Sequence, residues 1–170
     1  MKARPGGTTR VVGCGRWFRR DDQVGLLVVR ALREMSSLPA GTAMTEAPGS
    51  ELSDLFDVRD PLILVDAAAS DTRRPPGSWQ VIDYLRTPER LRSRDAGDTH
   101  TLSVDAALEL ARALGVTPPR VLIYAIAVAD VGQGDELTPA VAEAVPRVAA
   151  AIAARLSAEQ AMIREGAAHA

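Results

Sequence analysis

Apolar residues fall along this chain in two rhythms, short unbroken runs and runs spaced three and four apart, and the two alternate. The first rhythm marks strands covered on both faces, the second amphipathic helices. Val11-Val12-Gly13 opens as a short strand and passes into Gly13-Cys14-Gly15. Val24, Leu27, Val28, Ala31, Leu32 and Met35 then predict a helix. Asp21 and Asp22 stand at its N-cap and first turn, where carboxylates meet unpaired backbone N–H groups. A weak strand over 43–46 and a short helix over 50–56 precede Leu62-Ile63-Leu64-Val65, an apolar strand that Asp66 ends.

The turn over 73–77 leads to a strand through Trp79, Val81 and Ile82 at the sheet edge, then to an arginine-rich surface loop over 84–99. Residues 102–114 predict a helix with Leu108, Ala111 and Leu114 along one side, stopped by Gly115 and Pro118-Pro119. The run 121–128 is the longest apolar strand. The last helix opens with Thr138 as N-cap and Pro139 behind it, carries Val141, Val145, Val148, Ile152 and Leu156 as its stripe, and meets a kink or delayed start at Pro146. Strands alternating with helices predict an α/β fold, a three-layer αβα sandwich around a mostly parallel twisted sheet. Residues 1–9 read as a disordered tail, 10–156 as a single domain and 157–170 as a frayed C-terminal tail.

Charge and composition narrow the chemistry. A formal net charge of -2 gives no footprint for nucleic acid or an anionic membrane, and no stretch has the length and apolarity of a signal peptide or a membrane span. One cysteine, Cys14, forms no internal disulfide and suits a reducing compartment, so the expected location is cytoplasmic. Within an apolar strand end, Cys14 reads as a structural thiol rather than a nucleophile. The only lysine is Lys2, in the tail, which excludes mechanisms that need a buried lysine.

Three scattered residues offer metal-binding atoms at the edges of predicted elements: Asp22, Asp66 and His100. Ligands of open parallel sheets bind beyond the carboxyl ends of the strands, and the loops carrying these residues converge there. Two carboxylates and an imidazole suit nickel, zinc or iron better than calcium. Each residue also has a plainer reading: Asp22 as a helix cap, Asp66 as a carboxylate satisfied by backbone N–H groups, His100 as a solvated loop histidine. Other sites are weaker. Gly13-Cys14-Gly15 lacks the third glycine of a dinucleotide loop, which would fall at Phe18, and a phospho-accepting receiver needs a lysine that the domain lacks. Two aspartates sharing a proton would make an aspartic-protease-like pair if they lay close enough.

In the order and spacing of these residues the chain resembles the hydrogenase maturation endopeptidases. A first strand runs through a glycine loop to an acidic pair, Val12-Gly13-Cys14-Gly15-Arg16-Trp17-Phe18-Arg19-Arg20-Asp21-Asp22-Gln23-Val24-Gly25. Leu64-Val65-Asp66-Ala67 with Pro76-Gly77 matches the second motif, and Asp98-Thr99-His100 before Leu108-Glu109-Leu110-Ala111 the third. Gly134 through Leu137-Thr138-Pro139 matches the closing helix start, so the similarity spans about residues 10–156.

The resemblance implies a phosphorylase/hydrolase-like sandwich and a monomeric endopeptidase, aspartic-type or nickel-dependent. Its substrate would be a nickel-iron hydrogenase large-subunit precursor, which loses its C-terminal extension after nickel insertion. Asp22, Asp66 and His100 are then both the metal-contacting and the catalytic set. The nickel is carried by the precursor, and no resident cofactor is implied. Arg16 replaces the family's loop asparagine, Gln23 a usual glycine, and Glu46-Ala47-Pro48-Gly49 a substrate-recognition run of Asp-Gly-Gly-Thr type. A non-catalytic nickel-sensing or hydrogenase-assembly protein with the same metal site is the alternative.

Overall fold

The two longest apolar runs lie side by side. In the computed structural model, which describes residues 9–48, 60–88 and 104–168, β3 (Leu62–Ala69) pairs in parallel with β5 (Val121–Val128) from Leu62↔Val121 to Ala69↔Val128. β1 (Arg10–Gly15) pairs with the first half of β3, and β2 (Ala43–Pro48) with β1, both in parallel. β4 (Trp79–Asp83) closes the other edge antiparallel to β5, giving the order β2-β1-β3-β5-β4. The expected α/β sandwich is present, with the predicted edge strand in its place.

Both sheet faces are covered, which is why the strands read as continuous apolar runs. Val11, Ile63, Val65, Leu122, Tyr124 and Ile126 point to one face, under α1 (Val24–Arg33) and α3 (Pro139–Ala168). Val12, Cys14, Leu62, Leu64, Val121 and Ile123 point to the other, under Val104, Ala107 and Leu108 of α2 (Val104–Ala113). This is the strand period of two, read out as two separate cores.

Several expectations change. Asp66 does not end its strand: β3 continues to Ala69 because β5 extends equally far and supplies the partners Ala125 to Val128. In α1 the buried face carries Leu26 and Val29, while Leu27 is only partly covered. Leu114 lies beyond the end of α2 and is 67% exposed. Gly115, at φ 70°, reverses the chain there, and Val116 N–H and Gly115 N–H bond the carbonyls of Ala111 and Arg112. α3 starts at Pro139, so Pro146 does not delay it, and it runs to Ala168 where a frayed tail was expected from 157. Alanine-rich sequence favours the extension, and Glu159 pairs with Arg120 and Arg155 across it. The short helix over 50–56, residues 89–99 of the arginine-rich loop and His100 lie outside the described residues.

Candidate functional site

The β1–α1 connection is built on missing side chains. A Cβ on Gly13 would lie 2.2 Å from the Gly25 carbonyl oxygen, and one on Gly25 would lie 2.2 Å from the Val65 oxygen and 2.4 Å from the Cys14 oxygen. The start of α1 therefore rests directly on β1 and β3. Gly15, at φ 139°, continues the contact, since a Cβ there would meet the Asp22 carbonyl oxygen at 2.0 Å. Asp22 stands one helical turn before Gly25, and Asp66 follows Val65, so both aspartates sit in the chain beside these close approaches.

This end of the sheet is where β1 stops pairing with β3, the last pair being Gly13↔Val65. With β2 on one side of β1 and the later strands beyond β3, chain direction across the sheet switches between β1 and β3, the position at which open α/β sheets bind ligands.

Neither member of the acidic pair caps the helix it precedes. A 3₁₀ turn spans Arg20–Gln23, and neither it nor α1 has a side-chain cap. Asp21, 0% exposed, turns instead to the far side of the sheet end. It accepts hydrogen bonds from the backbone N–H groups of Ala129, Asp130 and Thr138 and from the Thr138 hydroxyl. Thr138 thus spends its hydroxyl on Asp21. Burial alone would raise the Asp21 carboxyl, but these hydrogen bonds outweigh it and hold the group below the ordinary range. Asp21 is a tether between the α1 start and the α3 start.

Asp22, by contrast, is half-buried and bonded by Arg16, whose Nε lies 2.9 Å from Oδ2. Asp66 is half-buried on the Leu64 and Ala68 side of β3, the face that α2 covers. Its charge reaches the Cys14 thiol: burial first, then Asp66, pushes that thiol well above its ordinary value. A fully buried, protonated thiol is structural, as expected for Cys14. His100 belongs to a segment outside the described residues. Among the described residues no three His, Cys, Asp or Glu side chains gather as a metal site.

The positions that depart from the resembled pattern have partners of their own. Gln23 is buried and its Nε2 donates to the Asp135 carbonyl at 2.7 Å. Glu46 accepts from Arg30 and Arg33 on α1. Partial burial would raise the Glu46 carboxyl, but the two guanidinium groups hold it below its ordinary value. Arg30 also lies 4.1 Å from the centre of the Trp17 ring. Phe18 and Arg20, next in the loop, take φ values of 62° and 41° and are held by the bonds Gly134 N–H to Phe18 O and Arg20 N–H to Gly134 O. The Arg16–Asp22 pair and the Asp21 tether were not foreseen in the sequence. The only signal was the doubled aspartate, which does not say which of the two is buried.

Comparison with known proteins bears on the family and the fold. A family model of hydrogenase maturation proteases matches residues 28–155, a span that includes Asp66 and His100 and begins after Asp22. No curated protein sequence matches the chain. Among solved structures, the hydrogenase maturating endopeptidase HybD from E. coli is similar at 25% identity over 94% of this chain and 93% of its own, with a TM-score of 0.69. An endopeptidase from Escherichia coli shares 24% identity, with 94% of each chain covered and a TM-score of 0.71. The [NiFe] hydrogenase maturation protease HybD from Thermococcus kodakarensis shares 22% identity over 88% of this chain and 98% of its own, at a TM-score of 0.65. The last two speak to the fold.

Proposed function

The chain belongs to the hydrogenase maturation protease family, and from that premise we propose that it is the endopeptidase removing the C-terminal extension of a nickel-loaded nickel-iron hydrogenase large-subunit precursor. Asp22, Asp66 and His100 recognise the nickel. The observation that supports this reading is the position of Asp22 and Asp66 in the chain, each beside the close backbone contacts of Gly13, Gly15 and Gly25 at the switch point of the sheet.

Carboxylate oxygens and an imidazole nitrogen are acceptable donors to nickel, and the metal arrives as part of the substrate. A nickel ion held there fixes the adjoining segment of the precursor against the sheet end, so that the scissile bond is oriented before reaction. Asp66, half-buried and close to an apolar core, is the better placed of the two carboxylates to take a proton from attacking water. The protein acts as a monomer in the cytoplasm and keeps no metal of its own. Among the described residues no helix is long and apolar enough to cross a membrane.

The Arg16–Asp22 ion pair gives a second reading its footing, because a carboxylate already engaged by a guanidinium is not free to act on the scissile bond. In that reading the chain senses nickel during hydrogenase assembly without proteolysis. Incubation of the purified protein with nickel-loaded precursor separates the two. Release of the C-terminal peptide is expected, with a fall of about a hundredfold or more for Asp66→Asn and His100→Ala. Intact precursor with wild-type protein favours the sensor, and undiminished cleavage by His100→Ala removes His100 from the site.

A further inference from the structure

Arg16 does more than neutralise a nearby charge, because its position is enforced from both sides. On one side, Gly15 lies so close to the Asp22 backbone that any Cβ would collide with the Asp22 carbonyl oxygen, which fixes the chain just before Arg16. On the other, Trp17 is stacked by Arg30, itself tied to Glu46 on β2. Between these anchors the guanidinium Nε reaches Asp22 Oδ2 at 2.9 Å, with the two side chains only 34% and 18% exposed.

A guanidinium and a divalent cation compete for the same carboxylate lone pairs. A positive charge held within a few ångströms also repels a second cation, the more so where solvent screening is reduced. Free hydrated nickel brings its full double charge and must shed water to bind. Nickel already held by another protein's anionic donors arrives with less net charge, and the contacts between the two proteins help displace the arginine.

Building on the reading of Asp22 as a nickel-contacting group, we infer that Arg16 is a specificity-determining residue. It holds the Asp22 carboxylate against free divalent metal, so that the site takes nickel presented inside a partner in preference to nickel from solution.

Calorimetric titration of the full chain with free Ni²⁺ tests this, comparing wild type with Arg16→Gln, Arg16→Lys, Asp22→Asn and the double variant Arg16→Gln/Asp22→Asn. Arg16→Gln should tighten Ni²⁺ binding by about fivefold or more, the scale of one partly exposed ion pair. Arg16→Lys, which keeps the charge, should stay near wild type, and the double variant should lose the gain. Unchanged or weaker binding by Arg16→Gln overturns the inference, as does the absence of measurable binding in every variant. If Asp22→Asn binds Ni²⁺ as wild type does while Arg16→Gln still tightens binding, it is the placement of Asp22 in the nickel site that fails. Loss of binding in Asp22→Asn with no gain in Arg16→Gln leaves that placement standing and removes Arg16's role. Thermal melts of Arg16→Gln and Arg16→Lys close to wild type confirm that neither acts through unfolding.

Discussion

A carboxylate enclosed in protein stays ionised only where donors replace the water it has lost, and Asp21 meets that condition with three backbone N–H groups and one hydroxyl. Because its folded-state value lies below the ordinary one, it contributes stability that is fully present above the usual carboxylate range and is lost as pH falls through the folded value. Asp21→Asn leaves the shape almost unchanged but turns an amide toward groups that are themselves donors. It should cost about 2–4 kcal/mol in denaturant unfolding near pH 7. The difference from wild type should shrink as pH drops below about 4, where Asp21 of the unfolded chain takes up a proton before the folded carboxylate does. A constant difference down to low pH would contradict the tether. Asp22, one position on, is half-buried and meets Arg16 instead. Nothing in the pair of letters distinguishes them. What does is the set of partners each side chain meets, the chain after β5 and the start of α3 for Asp21 and the Arg16 guanidinium for Asp22.

At the scale of elements, the strands were legible because burial on both faces leaves no polar position to blur the run, and β5 is buried at all eight residues. Helix faces were legible in phase but not at their ends. Leu114 followed the apolar spacing of α2, yet the chain reverses at Gly115 before that position can pack. The approach of α1 to the sheet tests propensity against sterics. In an exposed helix Gly25→Ala would stabilise by about 1 kcal/mol. Here the new methyl would lie 2.2 Å from the Val65 oxygen and 2.4 Å from the Cys14 oxygen, so the helix must move away from these strands. The expected outcome is a loss of about 1–3 kcal/mol or more. On the proposed function precursor cleavage should fall as well, because the displacement carries Asp22 with the start of α1 away from the sheet. Gain of stability in a thermal melt would show that α1 is not seated as described.

For the whole molecule, the order β2-β1-β3-β5-β4 puts the switch in chain direction between β1 and β3 and thereby chooses where a ligand can sit. The core ends before the last helix does: Leu156 is its final buried residue, although α3 runs to Ala168. Truncation after Leu156 removes Glu159 and its pairs with Arg120 and Arg155 but no buried apolar side chain. It should therefore cost only about 1 kcal/mol in denaturant unfolding and leave precursor cleavage intact. A larger loss would assign the extension a structural role. By itself the sequence determined the layer architecture, the apolar strands and the presence of Asp66 beside a buried run, because these follow from local periodicity and from the alternation of strand and helix. Which aspartate is enclosed, and that Arg16 holds the other, emerged only from the folded chain. Those facts depend on three glycines letting α1 close onto β1 and β3, and on Thr138 arriving from more than a hundred residues away, contacts to which no local pattern of residues is sensitive.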